Sequence, residues 1–119
     1  MYLVDTGLWI EHFRTRDSEL SAYLLEGKVV VHDFIIGELS LGSFKKSDRN
    51  KILDRLKVME KLPISEHHDI LEFIESHKLY LAGIGLVDAH LLHSCYLHRA
   101  KLLTFDKNLK KQAEKLGLT

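Results

Sequence analysis

Cysteine is almost missing from this chain: Cys95 stands alone, so no intrachain disulfide can form, and 119 residues are enough to build a core without one. That predicts a reducing compartment. Proline occurs once, at Pro63, and no repeat, low-complexity tract or linker divides the sequence. Long apolar runs are missing too. The longest, Leu79 to Val87, has nine residues and includes two glycines, against the roughly 20 needed to cross a bilayer. Near the start, Asp5 and Glu11 interrupt the apolar residues and no basic-then-apolar segment precedes them, so an unprocessed cytoplasmic protein is expected. An excess of charge of either sign is also lacking, since 17 Lys and Arg face 17 Asp and Glu. This excludes a gross polycation that coats nucleic acid, while leaving the distribution of charge open.

What is present is the composition of an ordinary globular protein, 45% hydrophobic and 29% charged, at the length of one domain spanning residues 1–119. Tyr2-Leu3-Val4 reads as a short strand ending at Asp5, followed by a helix-like segment from Thr6 to Phe13. Asp17 or Ser18 can cap a second helix through Leu25, which Gly27 ends before the β-branched run Lys28 to His32. A helix opens at Asp33, and a longer one runs from Ser47 or Asp48 to about Lys61, broken by Pro63. A short strand at Leu62 to Ile64 precedes a helix from Ser65 to about Lys78, with Ile70, Leu71, Phe73 and Ile74 on its buried side. A helix from Leu86 to Ala100 leads into the strand Lys101 to Phe105, and Asn108 to Leu116 forms the last helix, stopped by Gly117. Apolar strands alternating with helices predict an α/β fold, a parallel sheet covered on both faces.

In such a fold, ligands bind outside the carboxyl ends of the strands, which directs attention to Asp5, to His32 with Asp33, and to Asp106. Any one of these aspartates can equally be a helix N-cap. Two helical acids add to the group. On a wheel of about 100° per residue, Glu38 lies with Phe34, Ile35, Leu41 and Gly42, and Asp88 lies with Leu91, Leu92 and Cys95, which predicts that both turn inward. Asp88 can also be a first-turn acid favoured by the helix dipole, and Glu38 can be paired with a buried arginine. Four carboxylates converging on one sheet edge repel one another unless a cation sits between them. A hard divalent ion with oxygen ligands, magnesium or manganese, is the natural occupant, and such a site suits phosphoryl chemistry.

Val4-Asp5-Thr6, Gly37-Glu38-Leu39, Leu86-Val87-Asp88-Ala89-His90-Leu91-Leu92 and Leu103-Thr104-Phe105-Asp106 resemble, in this order, the four motif blocks of PIN-domain ribonucleases. Size and block order resemble the VapC-type toxins of toxin–antitoxin pairs. The resemblance implies a three-layer α/β/α PIN-like fold with a central, mostly parallel sheet of four to five strands. It also implies an Mg2+- or Mn2+-dependent endoribonuclease that inhibits translation or growth, with Asp5, Glu38, Asp88 and Asp106 as catalytic and metal-site acids. Thr6 and Thr104 would support them by hydrogen bonding. By the same resemblance the partners are RNA, a VapB-like antitoxin that covers the acidic groove, and a second copy of the chain. Two positions depart from the pattern: Gly7 stands where many relatives have Asn or Ser, and Asn108 where many have a second acid. The chain stops at Thr119, so the closing edge strand of many relatives is expected to be absent or very short.

Other features are weaker. His90, His93 and His98 on one helix, or the pair His67 and His68, invite a zinc reading, but no third ligand has standard spacing; structural or surface roles, or a dimer contact, fit them better. His32 is the exception, placed where it can approach the acids. Basic residues cluster, with seven against three acids from Lys45 to Lys61 and six against two from Arg99 to Lys115. Each cluster is either a solvated helix face or a phosphate-contacting rim. Trp9, Phe13 and Tyr23 read as core or dimer interface in preference to base-stacking platforms. Competing functions are a housekeeping PIN nuclease in RNA maturation, a catalytically silent α/β binding module, and a phosphoacceptor module. The last requires an acidic pair after the first strand, which this chain lacks. If the four site acids are withdrawn from the 17, thirteen remain against 17 basic residues, so the outer surface is expected to be positive by four.

Overall fold

The computed structural model describes residues 1–15, 19–42 and 44–119. The elements follow the predicted alternation: β1 (Tyr2–Val4), α1 (Thr6–Thr15), α2 (Glu19–Leu25), β2 (Val29–Val30), α3 (Asp33–Ser40), α4 (Lys46–Lys57), α5 (His67–Ser76), α6 (Leu86–His98), β3 (Lys101–Leu103) and α7 (Lys107–Lys115). The expected cap of α2 at Asp17 or Ser18 lies outside the described residues. Among the described residues the sheet has three strands, all parallel, in the order β2-β1-β3. It is flanked by helices, in the three-layer α/β/α arrangement.

The sheet is thus narrower than the four to five strands expected. Beyond β2 the chain makes a single parallel bridge between Val31 and Lys61, held by Val31 N–H to Glu60 O at 2.9 Å and Leu62 N–H to Val31 O at 2.9 Å. The next rung would need Asp33 as partner, but Asp33 already opens α3, so the strand expected at Leu62 to Ile64 ends as it begins. On the opposite edge, Leu118 after α7 accepts one hydrogen bond from Leu102 N–H at 2.8 Å.

The central strand is dry on both faces: Leu3 and Val4 are fully buried, as are Val31, Ile35, Leu91 and Leu92 beside them in one core. This is why β1 reads as continuously apolar. Trp9 joins the core, with Phe13 stacked on it at 5.7 Å between ring centroids, and Tyr23 lies against Tyr2 at 4.3 Å. Helix α6 is enclosed over most of its circumference, since Ala89 through Cys95 are all buried. Other differences are local. Helix α4 ends at Lys57 and α5 begins at His67, both shorter than expected. Leu71 is exposed although its neighbours Ile70 and Phe73 are buried, because only one side of α5 meets α6. Among the described residues no helix is long and apolar enough to cross a membrane.

Candidate metal and active site

Strand β1 lies between β2 and β3, and the chain leaves β1 toward β2 and returns much later to β3. The crevice at the carboxyl ends of β1 and β3 is therefore the topological switch point of the sheet. Asp5 follows β1 there. Its backbone N–H donates to Leu103 O at 2.9 Å, and its carboxylate is held on both sides: Oδ1 accepts from Thr6 N–H at 2.8 Å and Oδ2 from Thr104 Oγ1 at 2.7 Å. The same Thr104 hydroxyl accepts from Asp106 N–H at 3.0 Å. Thr104 thereby ties the ends of the two strands together. On the other side Thr6 Oγ1 donates to Glu38 Oε1 at 3.0 Å, which fixes the α3 acid against the start of α1.

Asp106 is also the N-cap of α7, its Oδ1 accepting from Leu109 N–H at 2.9 Å, so the structural role open to it is present alongside its place at the crevice. Asp88 occupies the first turn of α6 and reaches back to Gly85 N–H at 3.3 Å. Asp5, Asp88 and Asp106 thus all stand at helix N-termini, where the backbone dipole offsets part of their mutual repulsion. The fourth acid, Glu38, is exposed rather than turned into the core, because the buried side of α3 is formed by Ile35 and Leu39. Asp5 and Asp88 are half-buried and Asp106 is exposed, so the group opens to solvent.

Partial burial raises the Asp88 carboxyl above its ordinary value, and the negative charges of Asp5, Asp106 and Glu38 push in the same direction, against the lowering by Gly85 N–H. All four acids therefore share one electrostatic field. Ion pairs among the described residues join Lys28 to Glu26, Lys61 to Asp33 and His68 to Glu72, and none compensates the four. An oxygen-only, anionic, solvent-accessible set of this kind can hold a hard divalent cation.

Several expected or competing features lie elsewhere. His32 does not approach the acids: it is fully buried, caps α3 by accepting Phe34 N–H on Nδ1 at 3.0 Å, and packs against Phe34. Asp33 is exposed and faces Lys61 at 3.6 Å. His90 and His93 are buried rather than superficial. His90 lies against Phe34, while His93 lies against Phe73 and pairs through Nδ1 with Ser65 Oγ at 2.7 Å. A more compact group of donor atoms, within 4.8 Å of one another, is formed by His68, Asp69 and Glu72. It lies on the exposed side of α5, with no strand end or second helix contributing, and reads as an i, i+4 surface pair with a neighbouring acid. Burial pushes the Cys95 thiol up to about 12, so it is inert. A cavity of about 680 Å³ between α1 and α4 is lined by Ile10, Phe13, Phe44, Arg14, Lys51 and Arg55 among others, and none of the four acids lines it.

Two contacts near the site had no signal in the sequence. Asn108 Nδ2 donates to Gly83 O at 3.3 Å, pinning the loop before α6, a bond that an acid at this position could not donate. Gly83 has φ of +75° and lies against Asn108, so both conformation and space favour glycine. Gly7, at the start of α1, lies directly under Phe105.

The PIN-domain family model matches residues 2–115, and the chain belongs to this family. Within it the chain is a VapC-type member: ribonuclease VapC32 of Mycobacterium tuberculosis, from strains CDC 1551 / Oshkosh and ATCC 25618 / H37Rv, is 39% identical over 119 residues, covering 99% of this chain and 94% of the relative. The crystal structure of PAE2754 from Pyrobaculum aerophilum superposes with a TM-score of 0.65 at 14% identity, covering 99% of this chain and 96% of that one. That likeness is one of fold.

Proposed function

We propose that this chain is a single-domain, metal-dependent endoribonuclease acting as the toxin of a toxin–antitoxin pair, hydrolysing RNA phosphodiester bonds and so inhibiting translation or growth. The observation that carries the reading is the gathering of Asp5, Glu38, Asp88 and Asp106 at the switch point, with Thr6 and Thr104 bonded to two of them. The relative named a ribonuclease supports the reaction class. Mg2+ or Mn2+ would be held by these four carboxylates. When bound, such an ion supplies the charge that makes a water acidic enough to attack near neutral pH and that offsets the leaving oxygen. The protein's own part is positioning. Thr6 and Thr104 fix the rotation of Asp5 and Glu38, and backbone N–H groups of Thr6, Gly85 and Leu109 at the starts of α1, α6 and α7 hold the carboxylates of Asp5, Asp88 and Asp106.

The partners proposed are RNA, a VapB-like antitoxin and a second copy of the chain, in the cytoplasm. The antitoxin would lay one segment over the acidic crevice, and the separate cavity between α1 and α4, where Arg14, Lys51 and Arg55 outnumber Asp48 around an apolar floor, suits a further segment that carries acids beside apolar side chains. Purified protein is expected to cleave RNA with added manganese and to stop with chelator, and Asp5→Asn and Asp88→Asn should each abolish cleavage. Unchanged cleavage in both variants would remove these acids from the mechanism. No cleavage by the wild type, together with no stabilisation by millimolar manganese, would favour a silent binding module.

A further inference from the structure

Phe105 is a large aromatic side chain that is 61% exposed, and its neighbours in sequence are both members of the site. Thr104 before it bonds Asp5, and Asp106 after it bonds Thr104. Its ring rests on the first turn of α1, where a Cβ added at Gly7 would lie 3.3 Å from Phe105 Cδ2. Any larger residue at position 7 would press on the ring. Gly7 thus lets one side of the ring settle against the helix start beside Asp5 and Thr6, while the rest faces solvent at the edge of the acidic crevice.

We propose that Phe105, seated on Gly7, is the platform on which an unpaired RNA base next to the scissile phosphodiester stacks. This inference rests on the ribonuclease reading above and specifies its substrate. A phosphate drawn to the acids through a cation puts the adjoining nucleotide within reach of the crevice edge, where Phe105 exposes an aromatic ring. Every base has a π-face, so the contact selects for nucleotides that are free to unstack and not for one sequence. In an A-form duplex the bases are already stacked on one another, and such a platform gains nothing from them. The expected substrate is therefore a single-stranded loop or tail cut beside an accessible base.

The test compares wild type, Phe105→Leu and Phe105→Trp on a short single-stranded RNA and on the same sequence annealed to its complement, with manganese. Leucine keeps an apolar contact with Gly7 but removes the π-face, while tryptophan extends it. Phe105→Leu should raise KM by about five- to 150-fold, with a smaller change in kcat, and Phe105→Trp should match or lower the wild-type KM. The single strand should be cut at least tenfold faster than the duplex. A second readout uses RNA with 2-aminopurine beside the cleaved bond, bound to the cleavage-silent Asp88→Asn variant. Its fluorescence should be quenched, and the quench should be lost when Phe105→Leu is added. A wild-type KM in the leucine variant, an equal loss in both variants, or equal cutting of duplex and single strand would each overturn the stacking role while leaving the ribonuclease reading intact. Absence of any RNA cleavage by the wild type would instead overturn the ribonuclease reading, and this inference with it.

Discussion

Replacing Thr104 with valine removes one hydroxyl and leaves the shape of the side chain almost unchanged. That hydroxyl makes two hydrogen bonds, donating to Asp5 Oδ2 at 2.7 Å and accepting from Asp106 N–H at 3.0 Å. A hydrogen bond to a charged group contributes about 1.5–3 kcal/mol and a neutral one about 0.5–1.5 kcal/mol. Both Thr104 and Asp5 are only half-buried, so water recovers part of the loss, and a net destabilisation of about 1–2 kcal/mol is expected. For 119 residues the unfolding entropy is about 0.25 kcal/mol/K, so the melting temperature should fall by about 4–8 °C. Asp5 would keep only the bond from Thr6 N–H at 2.8 Å, leaving its carboxylate free to rotate, and loss of such a supporting bond typically costs about 10–100-fold in activity or metal affinity. The assay is thermal unfolding in chelator together with initial rates of RNA cleavage in manganese, for wild type, Thr104→Val and Thr104→Ser. Serine restores the hydroxyl and should recover most of both quantities. A valine variant that melts within a degree of wild type and cleaves at the wild-type rate would refute the argument that this hydroxyl ties the site together.

Asp88→Asn removes one of four mutually repelling charges. It should raise the melting temperature in chelator while shrinking the further rise produced by manganese, and a fall in chelator would contradict the shared field inferred for the acids. Stability should also decline as pH drops below about 6.5, because burial lowers the pKa of His32 and His93 below the ordinary histidine value. The sign follows from linkage: the unfolded chain takes up the protons first, so stability present above the unfolded pKa is lost as pH falls toward the folded one. For His32 the structure adds a reason. Its Nδ1 accepts Phe34 N–H, so a proton there sets two donors face to face and removes the cap of α3; nearby His90 opposes the charge and Asp33 favours it. For His93, the second proton is opposed by His98 and His77 and favoured by Asp69. Melting curves at pH 7.5, 6.5 and 5.5 should show the decline. His32→Asn, which can also accept at a cap, should flatten it, and an unchanged slope would exclude His32 as its source.

The zero net charge, which excluded only a gross polycation, is compatible with this site. The four acids interact electrostatically at one end of the sheet and have no ion-pair partner among the described residues, while Arg14, Lys51 and Arg55 gather with Asp48 at a separate cavity.

Much of the fold was legible because it depends on local pattern. A strand buried on both faces must be apolar at successive positions, as Leu3-Val4 and Val29-Val30 are, and a helix must follow each to cover the sheet. Acids at or just beyond the ends of such strands stand near the ligand-binding edge of any parallel sheet, which is why Asp5, and Asp106 three residues past β3, could be singled out from the sequence. Helical wheels served less well. Glu38 shares a wheel sector with Phe34 and Ile35 yet is exposed, and His90 and His93 lie opposite Asp88 yet are buried, because burial depends on which neighbours a helix acquires. Helix α6 acquires them on several sides, and no periodicity in its own sequence reports that.

The sequence by itself determined the alternation of strands and helices and the apolar core strands, and it singled out the four acids as candidates, all from residues a few positions apart. Only the tertiary structure decided how the acids are held and what stands beside them. The bond from Thr104 to Asp5 joins residues 99 apart and that from Thr6 to Glu38 joins residues 32 apart, while Phe105 reaches its seat on Gly7 only when β3 pairs with β1. Contacts of that range are set by strand order and packing, which no local pattern encodes.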